Sequence, residues 1–340
     1  MNHYKWIKQV TLVSLLMLLA FTAGCSLWED AGESNLIDPP PEDIMASLEL
    51  DGDQSFSEEG EIENVSMSLY FKDQNGFVVP VTMNVPLVEG IAKQKLRHMV
   101  NDGPIMEKLP YEFTPLLPSG TEILGLNIEN QLAIVDFSEE FLTYDMNDER
   151  KVLEAVTWAL TDFPTVDNVV INVNGETLTK MPAQYFPLDE PLSREMGINI
   201  EQSEGVPLSQ TTPVTLYFLD QTNDSQSYFV PVTRLIQIPD DIVEATMKEL
   251  IKGPYGPSGL HSVMIPSVEV LNTDLSEDLI TLNLSDHILG LDEMVPEESL
   301  QSIILSLTEN TDATKFQFLI NNQSYDSPVT KSTQMNVFEM

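Results

Sequence analysis

Cysteine is almost absent from the sequence: Cys25 is the only one in 340 residues. A single cysteine cannot form an intramolecular disulfide, so the chain is not a disulfide-stapled secreted domain. Its stability must therefore come from the burial of apolar side chains. Hydrophobic residues make up 42% of the chain, which is typical of a globular protein, and the length predicts two or three domains.

Basic residues are also scarce. Lysine and arginine total 16 against 54 aspartates and glutamates, so the formal net charge is -38. A surface of this sign repels nucleic acid and anionic lipid headgroups and keeps the chain soluble. We interpret most of these acids as a solvated surface and not as metal ligands.

Common catalytic motifs are also lacking in the sequence. The sequence contains neither an H-E-x-x-H zinc motif nor a G-x-S-x-G nucleophile elbow. Three histidines follow the N-terminal segment, His98, His261 and His287, and their spacing is not that of a metal site. We therefore predict no catalytic residue, no cofactor and no metal ion.

The first feature that is present is a targeting segment. Two lysines precede an apolar run over residues 10–21, and Thr22-Ala23-Gly24 then leads to Cys25. The run is too short for a comfortable membrane span and is typical of a signal peptide, which we place at residues 1–24. Small residues directly before the one cysteine resemble a bacterial lipobox. We predict that Cys25 is lipidated and that its acyl chains anchor the protein to a membrane.

The remaining chain is a duplication. Residues 66–175 return as residues 213–322, with an offset near 147 residues. The clearest matches pair Leu69-Tyr70-Phe71 with Leu216-Tyr217-Phe218, Val79-Pro80-Val81-Thr82 with Val230-Pro231-Val232-Thr233, and Gly103-Pro104 with Gly253-Pro254. A repeat of this length is domain-sized, so the sequence predicts a tandem pair and not a solenoid.

Hydrophobic periodicity predicts the same seven elements in each copy, in the order ββαββαβ. The fold class is therefore α+β, with two tandem two-layer α/β-sandwich domains that place helices on one face of a mixed sheet. The predicted domains span 65–180 and 213–330. Three segments lack periodicity: an acidic tether at 25–64, a proline-containing linker at 181–212 and a tail at 331–340.

The first helix of each copy is predicted to run to its Gly-Pro stop, Gly103-Pro104 or Gly253-Pro254. The second hairpin, which begins at 123–126 or 268–271, is predicted to consist of mostly buried strands. We interpret the turn of the first hairpin, at 73–76 or 221–227, as a connection and not a site.

Carboxylates are the remaining candidates for catalysis. Asp136 and the pair Glu139-Glu140 follow a predicted buried strand, and two carboxyl groups several ångströms apart suffice for a glycosidase. The second copy has Asn283, Asp286 and His287 in this region, so the arrangement does not recur. We interpret these acids as structural or solvated.

The lipobox, the tandem pair and the repeated Leu-Tyr-Phe, Val-Pro-Val-Thr and Gly-Pro matches resemble the GerM family of spore-former lipoproteins, and each copy resembles a GerMN domain. The two copies differ at two polar positions: Asn283 stands in the second copy where the first has Asp136, and Asn322 stands where the first has Gly175. The resemblance implies a similarity to ring-building modules. It also implies a lipoprotein of sporulation and germination, between the mother cell and forespore membranes.

That resemblance supplies two functional hypotheses. The first is a non-catalytic assembly factor whose domains bind protein components of a channel-like ring complex. The second is binding or hydrolysis of spore-cortex peptidoglycan. The residues favour the first, because no recurring catalytic constellation is present.

Overall fold

The computed structural model describes residues 64–88, 90–202, 207–326 and 335–338. The predicted signal peptide, Cys25 and all but the last residue of the predicted tether lie outside this part of the chain. Both copies of the repeat belong to one unit, so their mutual packing can be described. No helix among the described residues has the length and apolarity to cross a membrane.

The first copy begins with an antiparallel hairpin. Met67, Leu69 and Phe71 alternate with polar residues, and all three are buried, as expected for a strand with one face in the core. The elements are β1 (Asn64–Lys72), β2 (Val78–Pro86), α1 (Ile91–His98), β3 (Ile123–Glu129), β4 (Leu132–Phe137), α2 (Glu149–Thr161), β5 (Asn168–Val173) and β6 (Glu176–Thr177).

The second copy repeats this order after a two-residue strand, β7 (Glu201–Gln202), in the predicted linker. Asp241 caps the first helix by accepting a 3.0 Å hydrogen bond from the Glu244 backbone N–H, and Gly253 ends that helix with φ 76°, a conformation that glycine adopts without strain. The elements are β8 (Thr211–Gln221), β9 (Ser227–Gln237), α3 (Ile242–Lys252), β10 (Val270–Ser276), β11 (Leu279–Leu284), α4 (Glu297–Asn310), β12 (Lys315–Ile320) and β13 (Gln323–Tyr325).

Each copy contains one four-stranded mixed sheet. The strand orders are β3-β4-β5-β6 and β10-β11-β12-β13. The second and third strands are parallel, and they are joined by α2 or α4, since a parallel pair needs a long crossover. The predicted class, order and duplication are confirmed.

The first hairpin of each copy belongs to a sheet that is separate from the mixed sheet; this sheet is β1-β2 in the first copy and β7-β9-β8 in the second. Helix α1 contacts β1 and β3, and α2 contacts β1 and β5; in the second copy α3 contacts β8 and β10. The helices therefore connect the hairpin to the mixed sheet.

Two predicted elements differ in extent. Helix α1 ends at His98, before the Gly103-Pro104 stop, because Val100 leaves the helix to bridge Leu117. Strand β10 begins two residues later than predicted and is mostly exposed, whereas the sequence predicted a mostly buried strand. The short strands β6 and β13 were not predicted, since they carry polar residues without alternation.

The predicted linker is packed against the rest of the protein over much of its length. Met181, Leu192 and Ile198 are buried, and Leu192 exchanges two 2.8 Å backbone hydrogen bonds with Val169. Phe338, in the predicted tail, is also buried. These segments therefore contribute to the core in addition to connecting the copies.

Candidate functional site

Asp136, the central carboxylate of the catalytic alternative, holds a turn. Its Oδ1 accepts a 2.9 Å hydrogen bond from the Gly175 backbone N–H. In the second copy Asn283 Oδ1 accepts a 3.0 Å bond from the Asn322 N–H. The same hydrogen bond is thus made by a carboxylate in one copy and by an amide in the other, so the position needs an acceptor and not a charge.

The neighbouring candidates do not converge on that carboxylate. Glu139 and Glu140 lie exposed in a short 3-10 helix that follows β4. Asp286 and His287 are exposed in the equivalent turn of the second copy. This side of each sheet shows separate solvated groups and no enclosed acid pair.

The histidines are also dispersed. His98 is buried at the end of α1, and burial lowers its pKa because the charged ring would lose its hydration. His261 and His287 are exposed in the second copy. Within the described ranges, no group of three His, Cys, Asp or Glu side chains could hold a metal ion.

The most concentrated polar site lies where the two copies meet, and Arg194 of the predicted linker is at its centre. Its guanidinium donates to Asp162 of the first copy at 2.6 Å and to Glu309 of the second at 2.7 Å. Asp162 follows α2 and Glu309 lies near the end of α4, at equivalent positions. One cation therefore ties the same point of both copies together, in the forked geometry that arginine offers.

Two tyrosines complete this cluster. Tyr70 Oη donates to Asp162 at 3.0 Å, and its repeat partner Tyr217 donates to Glu309 at 3.3 Å. Lys95 adds an ion pair with Asp162 at 2.6 Å. The acids at this contact are thus hydrogen-bonded from both the linker and the hairpins.

A second polar cluster joins the tips of the two hairpins. Asp73 and Asp220 are equivalent residues, and both are buried. Asn75 Nδ2 donates to Asp220 at 2.7 Å, its backbone N–H donates to Asp73 at 2.9 Å, and Tyr228 Oη donates to Asp73 at 3.1 Å. Burial raises the pKa of Asp73 to about 6, since a buried carboxylate is costly to ionise. The sequence predicted this turn to be a connection only, whereas it forms part of the inter-copy contact.

A third contact holds the linker against the second copy. Arg234 in β9 has 0% exposure and ion-pairs with Glu201 at 2.7 Å and with Glu249 at 3.0 Å. Its guanidinium lies 3.6 Å from the centre of the Tyr255 ring. A fully buried arginine requires such partners, because its charge would otherwise be uncompensated.

The contact around Arg194 was not predicted from the sequence. The two acids that meet Arg194 do recur at one offset, as do the tyrosines that bind them. That recurrence was the available signal. Arg194 itself lies in a segment without hydrophobic periodicity, so the sequence pattern does not single it out.

The outer strands of the mixed sheets present a different kind of surface. Strands β3 and β10 are each the first strand of a sheet, and no strand in the described part of the chain pairs with their outer sides. Leu271 and Leu275 of β10 are 43% and 45% exposed. An open strand edge with exposed apolar side chains is a surface that can accept a partner protein.

Comparison with known proteins identifies relatives of both copies. Residues 68–179 and 215–326 each match the Germane family, which is described as "Sporulation and spore germination". Over 354 aligned residues the chain is 33% identical to the spore germination protein GerM of Bacillus subtilis strain 168, with 96% of this chain and 95% of that protein covered.

A solved structure shows the same tandem architecture. The tandem GerMN domains of the Bacillus subtilis sporulation protein GerM superpose with a TM-score of 0.76 at 36% identity. The match covers 82% of this chain and all of the solved one. The arrangement of both copies, and not only the fold of one, is therefore similar to that of a solved protein.

We predict that Arg194→Met destabilises the protein by about 2–3 kcal/mol, because three hydrogen bonds to carboxylates are lost and two acids lose a counter-charge. The stability of Arg194→Lys should lie between those of the parent and of Arg194→Met, since lysine keeps the charge but lacks the forked guanidinium that reaches both acids. Urea denaturation measures the free energy of unfolding. The control is Lys248→Met, which breaks the exposed pair with Glu244 and should cost under about 0.5 kcal/mol. Equal costs for Arg194→Met and the control would contradict the assignment.

We also predict that Asp73 makes stability depend on pH. Its pKa of about 6 lies above the usual aspartate value of about 3.9. The folded state therefore holds the proton more tightly, and the stability from this group is full below pH 4 and is lost as the pH rises through 6. The Asp73→Asn variant should gain up to about 3 kcal/mol relative to the parent between pH 4 and pH 7.

Urea unfolding of both proteins across this range measures the difference. The control, Asp312→Asn, alters an exposed carboxylate and should give a difference that is constant with pH. A constant difference for Asp73→Asn as well would show that the Asp73 carboxyl titrates normally.

Proposed function

The chain belongs to the Germane family of sporulation and spore germination proteins, and from this premise we propose that it is a non-catalytic assembly factor. In this proposal the protein is lipid-anchored on the outer face of a cell membrane. Its two GerMN domains bind protein components of a channel-like ring between mother cell and forespore.

The observation that carries the proposal is the pair of open sheet edges on two joined copies. The contacts of Arg194 and Asp73 hold one copy against the other, and Arg234 holds the linker against the second copy. Strands β3 and β10 remain as the first strands of their sheets. Such open strand edges on two joined copies favour binding by contact, because main-chain groups at an edge can pair with another chain.

The chemistry of the polar groups supports contact and not bond-breaking. Asp136 and Asn283 both hold turns, and the neighbouring acids Glu139, Glu140 and Asp286 are exposed. Two of the buried carboxylates, Asp73 and Asp220, each accept a hydrogen bond from a side chain of the other copy. Hydrolysis of a glycosidic bond would need a substrate between two such acids.

The anchor follows from residues outside the described part of the chain. We propose that Cys25 is acylated and that 25–64 separates the folded domains from the bilayer. The strongly acidic surface supports this arrangement, since it is repelled by anionic headgroups. Partners would then be met at a distance from the membrane.

We predict that the double variant Leu271→Lys/Leu275→Lys keeps its fold and loses partner binding. Both side chains are exposed on β10, so stability should change by less than about 0.5 kcal/mol each. Lysines on a strand edge oppose the addition of another strand. Cross-linking in sporulating cells, followed by mass spectrometry, should show partner yields at least about fivefold lower than for the parent.

The matched control is Leu291→Lys, which changes an exposed leucine away from the sheet edge and should leave the yield unchanged. Equal losses in the two variants would assign the effect to charge alone. Unchanged yields in both would remove β10 as the binding surface. Digestion of cell-wall sacculi by the purified protein would favour the peptidoglycan hypothesis instead.

We predict that Cys25→Ala transfers the protein from the membrane fraction to the soluble fraction, because no acyl chain can be attached. Fractionation with immunodetection measures the distribution. Ser26→Ala, at the next residue, is the control and should remain with the membrane. Membrane retention of Cys25→Ala would mean that residues 10–21 form an uncleaved anchor.

A further inference from the structure

A short segment follows each copy. The two segments make equivalent contacts, with the roles of the first and second copies exchanged. The first is Ile198-Asn199-Ile200-Glu201, and the second is Met335-Asn336-Val337-Phe338. Both asparagines have positive φ, 49° and 54°, a conformation that asparagine tolerates better than most residues. The two segments occupy the space between β2 of the first copy and β9 of the second.

Asn199 binds the backbone of both strands. Its Nδ2 donates to Val78 O and to Pro231 O, each at 2.7 Å. Its Oδ1 accepts from the Val78 N–H at 2.8 Å. One amide side chain thus satisfies both polar groups of Val78 in β2 and one carbonyl in β9.

Asn336 makes the mirrored set. Its Nδ2 donates to Phe229 O at 2.8 Å and to Pro80 O at 2.7 Å. Its Oδ1 accepts from the Phe229 N–H at 2.6 Å. Phe229 and Pro231 correspond to Val78 and Pro80, so each asparagine pairs with its own copy twice and with the other copy once.

The backbone of each segment also runs beside the strand of the opposite copy. Glu201 pairs in parallel with Arg234 of β9, and Val337 forms a parallel bridge to Thr82 of β2. Thr82 corresponds to Thr233, the neighbour of Arg234, so the bridged pairs correspond, although the Thr233 N–H donates to Ile198 O and the Thr82 N–H to Asn336 O. The first copy's segment therefore adds to the second copy, and the second copy's segment adds to the first.

The segments differ in how the chain continues. Ile198–Glu201 is joined covalently to a copy on each side and cannot leave. Met335–Phe338 follows both copies, so it can leave its groove without separating them. Its final side chain, Phe338, is buried with ring centres 5.1 Å from Phe113 and 6.4 Å from Tyr228.

We propose that the groove between β2 and β9, which residues 335–338 fill within one chain, exchanges this segment for the same segment of a second copy. A second copy is the partner whose chemistry is shown to fit, since it carries the identical segment. The inference needs no sporulation partner, so it can fail while binding at β10 holds.

Exchange has a defined geometry. Each chain offers one C-terminal segment and one groove, because the second half of the contact is filled by Ile198–Glu201. Two chains that exchange segments form a closed dimer, and chains that pass the segment in one direction form a ring or a filament.

The first test asks whether the groove binds the segment as a separate ligand. The chain shortened to end at residue 334 is titrated with a synthetic peptide of residues 334–340. We expect one peptide bound per chain, with affinity at least about tenfold higher than for the peptide with Asn336→Ala, which lacks the three side-chain hydrogen bonds. The complete chain should bind the peptide at least about tenfold more weakly, because its groove is filled.

The second test asks whether a second copy can supply the segment. The complete chain is unfolded, refolded at high protein concentration, and analysed by size-exclusion chromatography with light scattering. We expect dimers or larger species that the shortened chain does not form and that Asn336→Ala forms at least about fivefold less. The matched control is Asn199→Ala, which loses equivalent hydrogen bonds in the segment that cannot exchange, and should still form them.

The results separate the outcomes. A shortened chain that unfolds cooperatively but binds both peptides alike would overturn the groove as a specific site. Equal oligomer formation with and without residues 335–340, or monomers at every concentration, would overturn exchange between copies. If the shortened chain does not fold, the comparison of Asn336→Ala with Asn199→Ala still decides the second point.

Discussion

The architecture depends on a single cation placed between two equivalent acids. Arg194 pairs with Asp162 and Glu309, and the tyrosines of both hairpins donate to the same carboxylates. In a chain with 54 acids and 16 basic residues, two carboxylates brought together from different domains would repel each other. Because a guanidinium donates hydrogen bonds in two directions, Arg194 compensates both negative charges and links the two copies. The linker that carries Arg194 is therefore part of the folded unit.

The two copies carry different residues at equivalent positions of the contact between them. Arg234 in the second copy is buried against Glu201, while its counterpart in the first copy is Met83, which is also buried. The residue that follows Val337 is correspondingly Phe338 and not an acid. One side of the contact is thus closed by a buried ion pair and the other by aromatic packing. A buried ion pair fixes geometry more than it adds stability, so the two sides combine alignment with apolar burial.

The element order could be predicted because it depends on local patterns. Each of these patterns acts within a few residues: the alternation in β1, the cap at Asp241 and the stop at Gly253. Because the sequence is duplicated, an element predicted in one copy could be compared with its counterpart in the other. Strand β10 was predicted less well, since Asn272, Thr273 and Asp274 lie on an exposed edge and carry no buried stripe. Helix α1 was predicted too long because Val100 is drawn away by Leu117, a contact that no local pattern records.

The sequence by itself determined the fold class, the two copies, their helices and most of their strands, because hydrophobic period and turn chemistry are properties of neighbouring residues. It also indicated the family, through motifs that recur in both copies. Only the tertiary structure decided how the copies meet. The joining residues, Arg194, Asn199 and Asn336, lie in segments without periodicity, and their roles depend on partners that are 32 to 256 positions away in the chain. The partners recur between the copies, but no local pattern shows which of them meet, because that proximity is created only by folding.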